Sequence, residues 1–292
     1  MSNTSLIIEE RSRDIGDFMV GRLLPFRKKR MVGPFVFIDH MGPSQVGPER
    51  YMDIGPHPHT GLSTLTYLFE GELMHRDSLG TVQRIGPGSV NWMTAGKGIV
   101  HSERTPEDMR GGKSFTAHGY QIWVALPREH EKVEPSFTHV PASDLPNWKE
   151  DGLDFILVAG KAFGRQSPVP VYSDLYMIDI RAEQEAAFGL RDLQGEIGVC
   201  IVKGSIETCG EVISEGNLLV AKPDAPCRIQ VGAGSHLLIF GGSPFAEERY
   251  IYWNFVSSDK DDLERAKEAW RDDQFPAIPG ESGRIALPGE SF

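Results

Sequence analysis

Two histidines stand two residues apart in Pro56-His57-Pro58-His59, and a second spaced pair, His101 and Glu103, follows after a gap of about forty residues. In a strand, residues i and i+2 point to the same face. Each pair can therefore offer two donor atoms to one ion. Imidazole nitrogen is the commonest protein ligand for first-row transition metals. Three imidazoles and one carboxylate leave positions open around an ion that prefers five or six ligands, which is the arrangement of a reactive site rather than a closed structural zinc site. The mixed N/O set, with no cysteine nearby, suits Fe, Mn, Ni, Co or Cu at least as well as Zn. A single His-x-His could be a hydrogen-bonded rim feature. Two such pairs, each in an otherwise apolar segment, are harder to explain that way. His57, His59, His101 and Glu103 are therefore expected to ligate one transition-metal ion.

Other residues are weaker candidates for the walls of the same site. His75, in Met74-His75-Arg76-Asp77, can line it, although its neighbours look like a hairpin turn with its own hydrogen bonds and favour a structural role. His40 is placed equally between support and turn. Gln121 and Trp123 share a face of the run 120–126, and Trp92 or Met93 can join them as pocket residues. His118, His130 and His139 lack partners at ligand spacing and are read as solvated or loop residues.

Something must hold these pairs in register, and the chain supplies short β-rich runs: 35–39, 62–71, 88–96 and 120–126. Gly (32) and Pro (20) punctuate them throughout, the signature of a sandwich or barrel. A polar, Pro-containing stretch over 128–152 reads as a bridge. After it the same strand–turn–strand cadence returns, through 155–164, 175–182, 195–207, 217–223, 227–234 and 236–242. The fold class is therefore all-β, two tandem jelly-roll-type barrels. The boundary is set at 1–135 for an N-terminal metal-binding domain and 136–292 for a C-terminal one with the terminal helix and tail. That helix begins after Ser257-Ser258, where Ser258 with Asp261 makes a capping pattern, and Leu263, Ala266 and Trp270 form its apolar stripe. No function is legible in the Pro/Gly-rich tail.

With 292 residues, 40% of them hydrophobic and 24% charged, the chain has the composition of a soluble two-domain protein. A net charge of −11 argues against nucleic acid as the ligand. Arg27-Lys28-Lys29-Arg30 is the one dense basic run, read as a solvated loop before an acidic partner's dock. No apolar run reaches membrane length and no signal-peptide pattern opens the chain. The odd count of three cysteines (Cys200, Cys209 and Cys227, none in a CxxC pair) points to reduced core thiols and a cytoplasmic location. A monomer is expected.

The segments PHPHTGLSTLTYLFEG, MHRDSLG and NWMTAGKGIVHSE resemble the signature stretches of the pirin family in the cupin superfamily. FVFIDHMGP, YQIWVALP, LIFGGSPFAEE and WNFVSS extend the resemblance over nearly the whole chain. It implies iron held in the N-terminal barrel by His57, His59, His101 and Glu103, and a metal-free C-terminal barrel, whose strand runs from 155 onward hold one histidine, His236. The general cupin motif carries a Glu four residues after His-x-His; here that position is Ser63. Its second motif carries a Pro where this chain has Gly96. For activity the resemblance implies a quercetin 2,3-dioxygenase, with a small enol-containing aromatic substrate and O2 as partners and Glu103 as general base. The rival reading is a metal-dependent regulator that binds a transcription factor or a metabolic enzyme without turnover.

Overall fold

The computed structural model describes residues 4–15, 18–48, 50–222 and 228–291, and among them the chain is β throughout apart from one α-helix, Lys260–Arg271, and short 3-10 turns. The two expected barrels are present. One compact unit takes Arg13–Val20, His40–Ala142 and Ala246–Phe292; the other takes Met1–Ser12, Gly21–Asp39 and Ser143–Phe245. A single cut at 135/136 does not describe this division. The strand Thr4–Glu9 pairs antiparallel with Asn217–Ala221, so the start of the chain belongs with the second barrel. The terminal helix and tail, assigned by sequence to the second barrel, belong with the first.

Packing explains the helix's place. Leu263, Ala266 and Trp270 form its buried stripe and join Val100, Phe255, Ile278 and Leu287 in one cluster. The helix starts one residue later than the capping pattern suggested: Asp259 is the N-cap, accepting from Asp261 N at 3.0 Å. Ser258 is occupied elsewhere, because its N–H and hydroxyl both donate to the buried carboxylate of Glu131, at 2.8 and 3.1 Å. Trp270 is 2% exposed and its indole N–H donates to Ile285 O at 2.9 Å. Trp270→Ala should therefore destabilise this unit by about 3–5 kcal/mol, read as a lower denaturation midpoint at unchanged m. A midpoint equal to wild type would show that the helix is not part of the cooperative core.

In the first unit a four-stranded sheet, with Asp53–His59, Ile99–Arg104, Leu73–Asp77 and Val82–Ile85 in spatial order, packs its inner face on a larger sheet. That larger sheet includes Ser136–Val140, Val90–Thr94, Leu62–Glu70 and Phe115–Ala125 as successive neighbours. The stretch expected as a bridge thus contains a barrel strand, 136–140, with Phe137 opposite Met93 and His139 opposite Asn91. Its polarity hid it, since only alternate residues face inward.

The second unit encloses its own apolar core, from Leu153, Leu157 and Ile178 to Val199, Leu219 and Ile239. Of the cysteines, Cys200 is free and buried, and burial pushes its thiol well above its ordinary pKa. Cys209 departs from the expected reduced core thiol: it sits exposed in a turn between two strands and is disulfide-bonded. Cys227 lies outside the described residues. Among the described residues no helix is long and apolar enough to cross a membrane.

Candidate metal centre

The ligand strands Asp53–His59 and Ile99–Arg104 pair antiparallel, with His57 opposite His101. Register alone therefore brings three of the four predicted ligands onto one inner face. The turn before the second strand needs Gly96, at φ +51, where a Cβ would lie 1.9 Å from Val133 O. The proline of the general motif, fixed near φ −65°, cannot stand there.

His57, His59 and His101 converge, each offering one ring nitrogen within 4.8 Å of the others. All three are buried. The free nitrogens can be named. His57 Nδ1–H donates to Gly55 O at 2.8 Å, which leaves Nε2 as the lone-pair nitrogen. His59 engages the Asn254 backbone and its Nδ1 is buried without a partner. His101 directs Nδ1 at His75 and its buried Nε2 also has no partner. Buried polar atoms without partners are rare and call for a reason. An ion among these three nitrogens supplies one, and the donor set fits a transition metal.

Burial, and the neighbouring imidazoles, disfavour the charged rings: His57 is lowered to about 4, and His59 and His101 fall well below their ordinary value. Neutral rings are what a metal requires. In the metal-free protein the unfolded chain then takes up protons near pH 6.5 that the folded chain refuses. Stability is therefore full above that pH and lost as pH falls toward 4, by roughly 3 kcal/mol for His57 alone. Glu103, raised by burial, acts in the opposite sense, one carboxyl against three imidazoles. Thermal melts of metal-free protein should show a lower midpoint at pH 5 than at pH 7. An equal or higher midpoint at pH 5 would mean these rings are solvated.

Glu103 stands apart from the convergent set. A β-bulge separates it from His101, and its buried carboxylate faces Thr66, whose hydroxyl lies 3.2 Å from Glu103 Oε1 and 2.9 Å from Gln121 Oε1. Thr66 has one proton for these two acceptors. Trp123 packs edge-on against His59, with ring centroids 5.1 Å apart. Gln121 and Trp123 share this face, opposite Thr66 and Thr64 across the strand pair. Met93 pairs with Thr64 and shares that inner face.

Trp92 does not. It pairs with Leu65 on the other face, where its indole N–H donates to Thr94 at 3.2 Å. Ser63 is turned the same way, its hydroxyl 3.0 Å from that of Thr94, so it is Thr64 that occupies the ligand-facing position. His40 and His118 form a pair on the outer face, with Nε2 atoms 2.9 Å apart and His40 stacked on Tyr120. His118 is therefore not a solvated residue. Nor is His139, whose ring lies 2.7 Å from Asn91 Oδ1 on the inner face.

His75, a weaker candidate from the sequence, lies against the centre, its Nδ1 3.4 Å from His101 Nδ1. One contribution was missed from sequence. The tail is not idle: Glu281 accepts from Ser102 at 2.6 Å and from Arg104 at 3.0 Å, and Ile285 N donates to Pro56 O at 2.8 Å. Ser102 lies between His101 and Glu103, and Pro56 precedes His57. The tail thus braces both ligand strands from behind. Nothing local marks Glu281 for this, because the contact spans 179 residues. Among the described residues no comparable cluster of donors occurs elsewhere, and His236 is held by Asp179 at 2.8 Å.

Comparison with known proteins follows the same two halves. The Pirin family profile matches residues 17–124, and the Pirin C-terminal cupin domain profile matches 177–276. A pirin-like protein of Caulobacter vibrioides is 45% identical, over 97% of this chain and 95% of its own. The crystal structure of a quercetin 2,3-dioxygenase from Acinetobacter baumannii superposes with TM-score 0.89 at 36% identity, covering 98% of this chain and 95% of that one. A bacterial pirin from Escherichia coli, solved in complex with nickel(II), shares the fold at TM-score 0.63 and 19% identity, over 82% of this chain and 99% of that one.

Proposed function

The chain belongs to the pirin family, and we propose from that membership and from the site's chemistry that it opens flavonols with dioxygen as a metal-dependent quercetin 2,3-dioxygenase. The observation that carries the reading is the set of three buried, neutral imidazoles whose ring nitrogens converge, two of them without any partner, with the buried carboxylate of Glu103 two residues from His101. A closed structural site would not need that carboxylate.

His57, His59 and His101 hold the ion, with iron as the expected metal, and Glu103, predicted as a fourth ligand, serves from outside their convergent set as the carboxylate of the site. When bound, the metal supplies a Lewis acid for the substrate's enolate oxygen and a partner for dioxygen. The chain's own residues do the rest. Glu103 takes the proton of the flavonol 3-hydroxyl, a task suited to a carboxylate whose affinity for protons burial has raised. Once Glu103 is protonated, the Thr66 hydroxyl can give its hydrogen wholly to Gln121, so no buried oxygen is left unsatisfied. Trp123 and Met93 offer apolar wall for a flat aromatic substrate and keep water from the reacting atoms. The flavonol and one O2 become a ring-opened ester and one carbon monoxide.

The rival reading, a protein-binding regulator, would use the basic run as its dock. Lys29 is not available there, since it pairs with Glu196. Incubating the iron-loaded chain with quercetin in air tests the proposal. Loss of flavonol absorption with matching O2 uptake and CO release supports it. Metal-loaded protein that consumes no flavonol with any of Fe, Mn, Ni, Co or Cu contradicts it.

A further inference from the structure

Behind His101 lies a chain of buried polar groups that a simple three-histidine site does not require. Asp77 is fully buried, and its Oδ1 accepts from Leu79 N at 2.9 Å and Thr81 N at 3.0 Å. That turn fixes the carboxylate. Its other oxygen, Oδ2, lies 3.0 Å from His75 Nε2. A carboxylate can only accept, so the His75 proton sits on Nε2 and its Nδ1 carries the lone pair. That lone pair faces His101 Nδ1 at 3.4 Å. Two ring nitrogens in this position attract only if one bears hydrogen, and His75 has none left to give. The proton is therefore on His101 Nδ1, and His101 Nε2, unpartnered and aimed into the cluster, is bare.

We infer that His75 is a positioning residue for the metal: tied to Asp77, it accepts the Nδ1 proton of His101 and so keeps His101 Nε2 as a donor. Strand pairing prepares this, with His101 opposite Asp77 and Glu103 opposite His75, so that the relay runs diagonally between neighbouring strands. His75 is held in plane by stacking on Phe137, with centroids 4.4 Å apart at 25°. Reversing the proton order would set two lone pairs against each other in a buried site. The relay also lends part of the Asp77 charge to the ligand, raising its basicity, as outer carboxylates do for metal-bound imidazoles. The inference rests on the metal reading of this site, and its test separates the two.

The test uses the full chain, stripped of metal and titrated with Co(II) against a competing chelator, with the cobalt visible spectrum as a second readout. Asp77→Asn keeps an oxygen for Leu79 and Thr81 but presents an N–H to His75, which forces the relay's protons to reverse. Cobalt affinity should fall about 10–100-fold, and His75→Phe, which removes the acceptor while retaining the stack, should fall similarly. The double variant should be no weaker than the worse single one, since both break one chain. His75→Gln, which can donate to Asp77 and accept from His101, should recover affinity to within a few-fold. Nitrogen-15 imidazole spectra of the metal-free wild type should show His101 protonated on Nδ1 and His75 on Nε2, a readout that needs no variant to fold. Variants binding Co(II) as wild type does, or a His101 protonated on Nε2, would overturn the relay and leave the metal site standing. A wild-type chain that binds no Co(II) would overturn both.

Discussion

In His101→Ala the purified chain retains almost no transition metal. His101 is 1% exposed and supplies one of three convergent nitrogens, while His57 and His59 share a single strand. Weakening a ligand's hydrogen-bonded support costs 10–100-fold in affinity, so deleting the ligand itself should cost more than about 100-fold. The same loss should be visible in stability. An ion that binds only the folded chain stabilises it by about 4 kcal/mol at a thousandfold excess over its dissociation constant. Wild type should therefore melt several degrees higher with metal than without, and His101→Ala should show no such gain. His57→Ala and His59→Ala should behave alike, whereas His236→Ala, in the other unit, should keep full occupancy. Elemental analysis of all four, with melts in the presence and absence of metal, makes the comparison. Near-wild-type metal content in His101→Ala would place the ion elsewhere.

Glu103→Gln separates holding the metal from using it. Glutamine keeps the shape and an oxygen for Thr66, but it loses the charge and cannot take a proton at neutral pH. Three imidazoles remain, so the variant should bind metal when metal is abundant. Flavonol turnover per bound ion should nonetheless drop by about 10²–10⁴-fold, the usual contribution of a positioned base. Rates must be divided by metal content measured on the same sample. Turnover per ion equal to wild type would remove Glu103 from the proton transfer and confine it to the wall of the site.

Much of this was legible in the sequence because strands convert spacing directly into facing. His57 and His59, and His101 and Glu103, declare themselves by i, i+2 spacing, and pairing set His57 opposite His101. The same rule puts Gln121 and Trp123 on one face, as their pairing with Thr66 and Thr64 does. It could not choose between Trp92 and Met93, adjacent residues of which one must face away, without the register against Thr64 and Leu65. Ser63, at the general motif's Glu position, is turned away by the same rule: a one-residue offset in a strand reverses the face. The bulge that separates Glu103 from the three imidazoles has no sequence mark of its own. His75 looked like a turn residue because Asp77 does cap a turn, and nothing local shows that the other carboxylate oxygen serves His101 through it. The domain boundary and the tail's bracing role depend on contacts between distant segments, such as Glu281 with Ser102. Those come from packing, which no local pattern encodes.

The most direct test is anomalous diffraction from crystals of the metal-loaded chain, recorded on both sides of that metal's absorption edge. One peak per chain is expected, in bonding contact with His57 Nε2, the ring nitrogen left over once Nδ1 donates to Gly55, and with His59 Nδ1 and His101 Nε2, which the folded chain buries without partners. A peak away from these atoms, or a second of equal height in the barrel formed by Ser143–Phe245, would contradict the account.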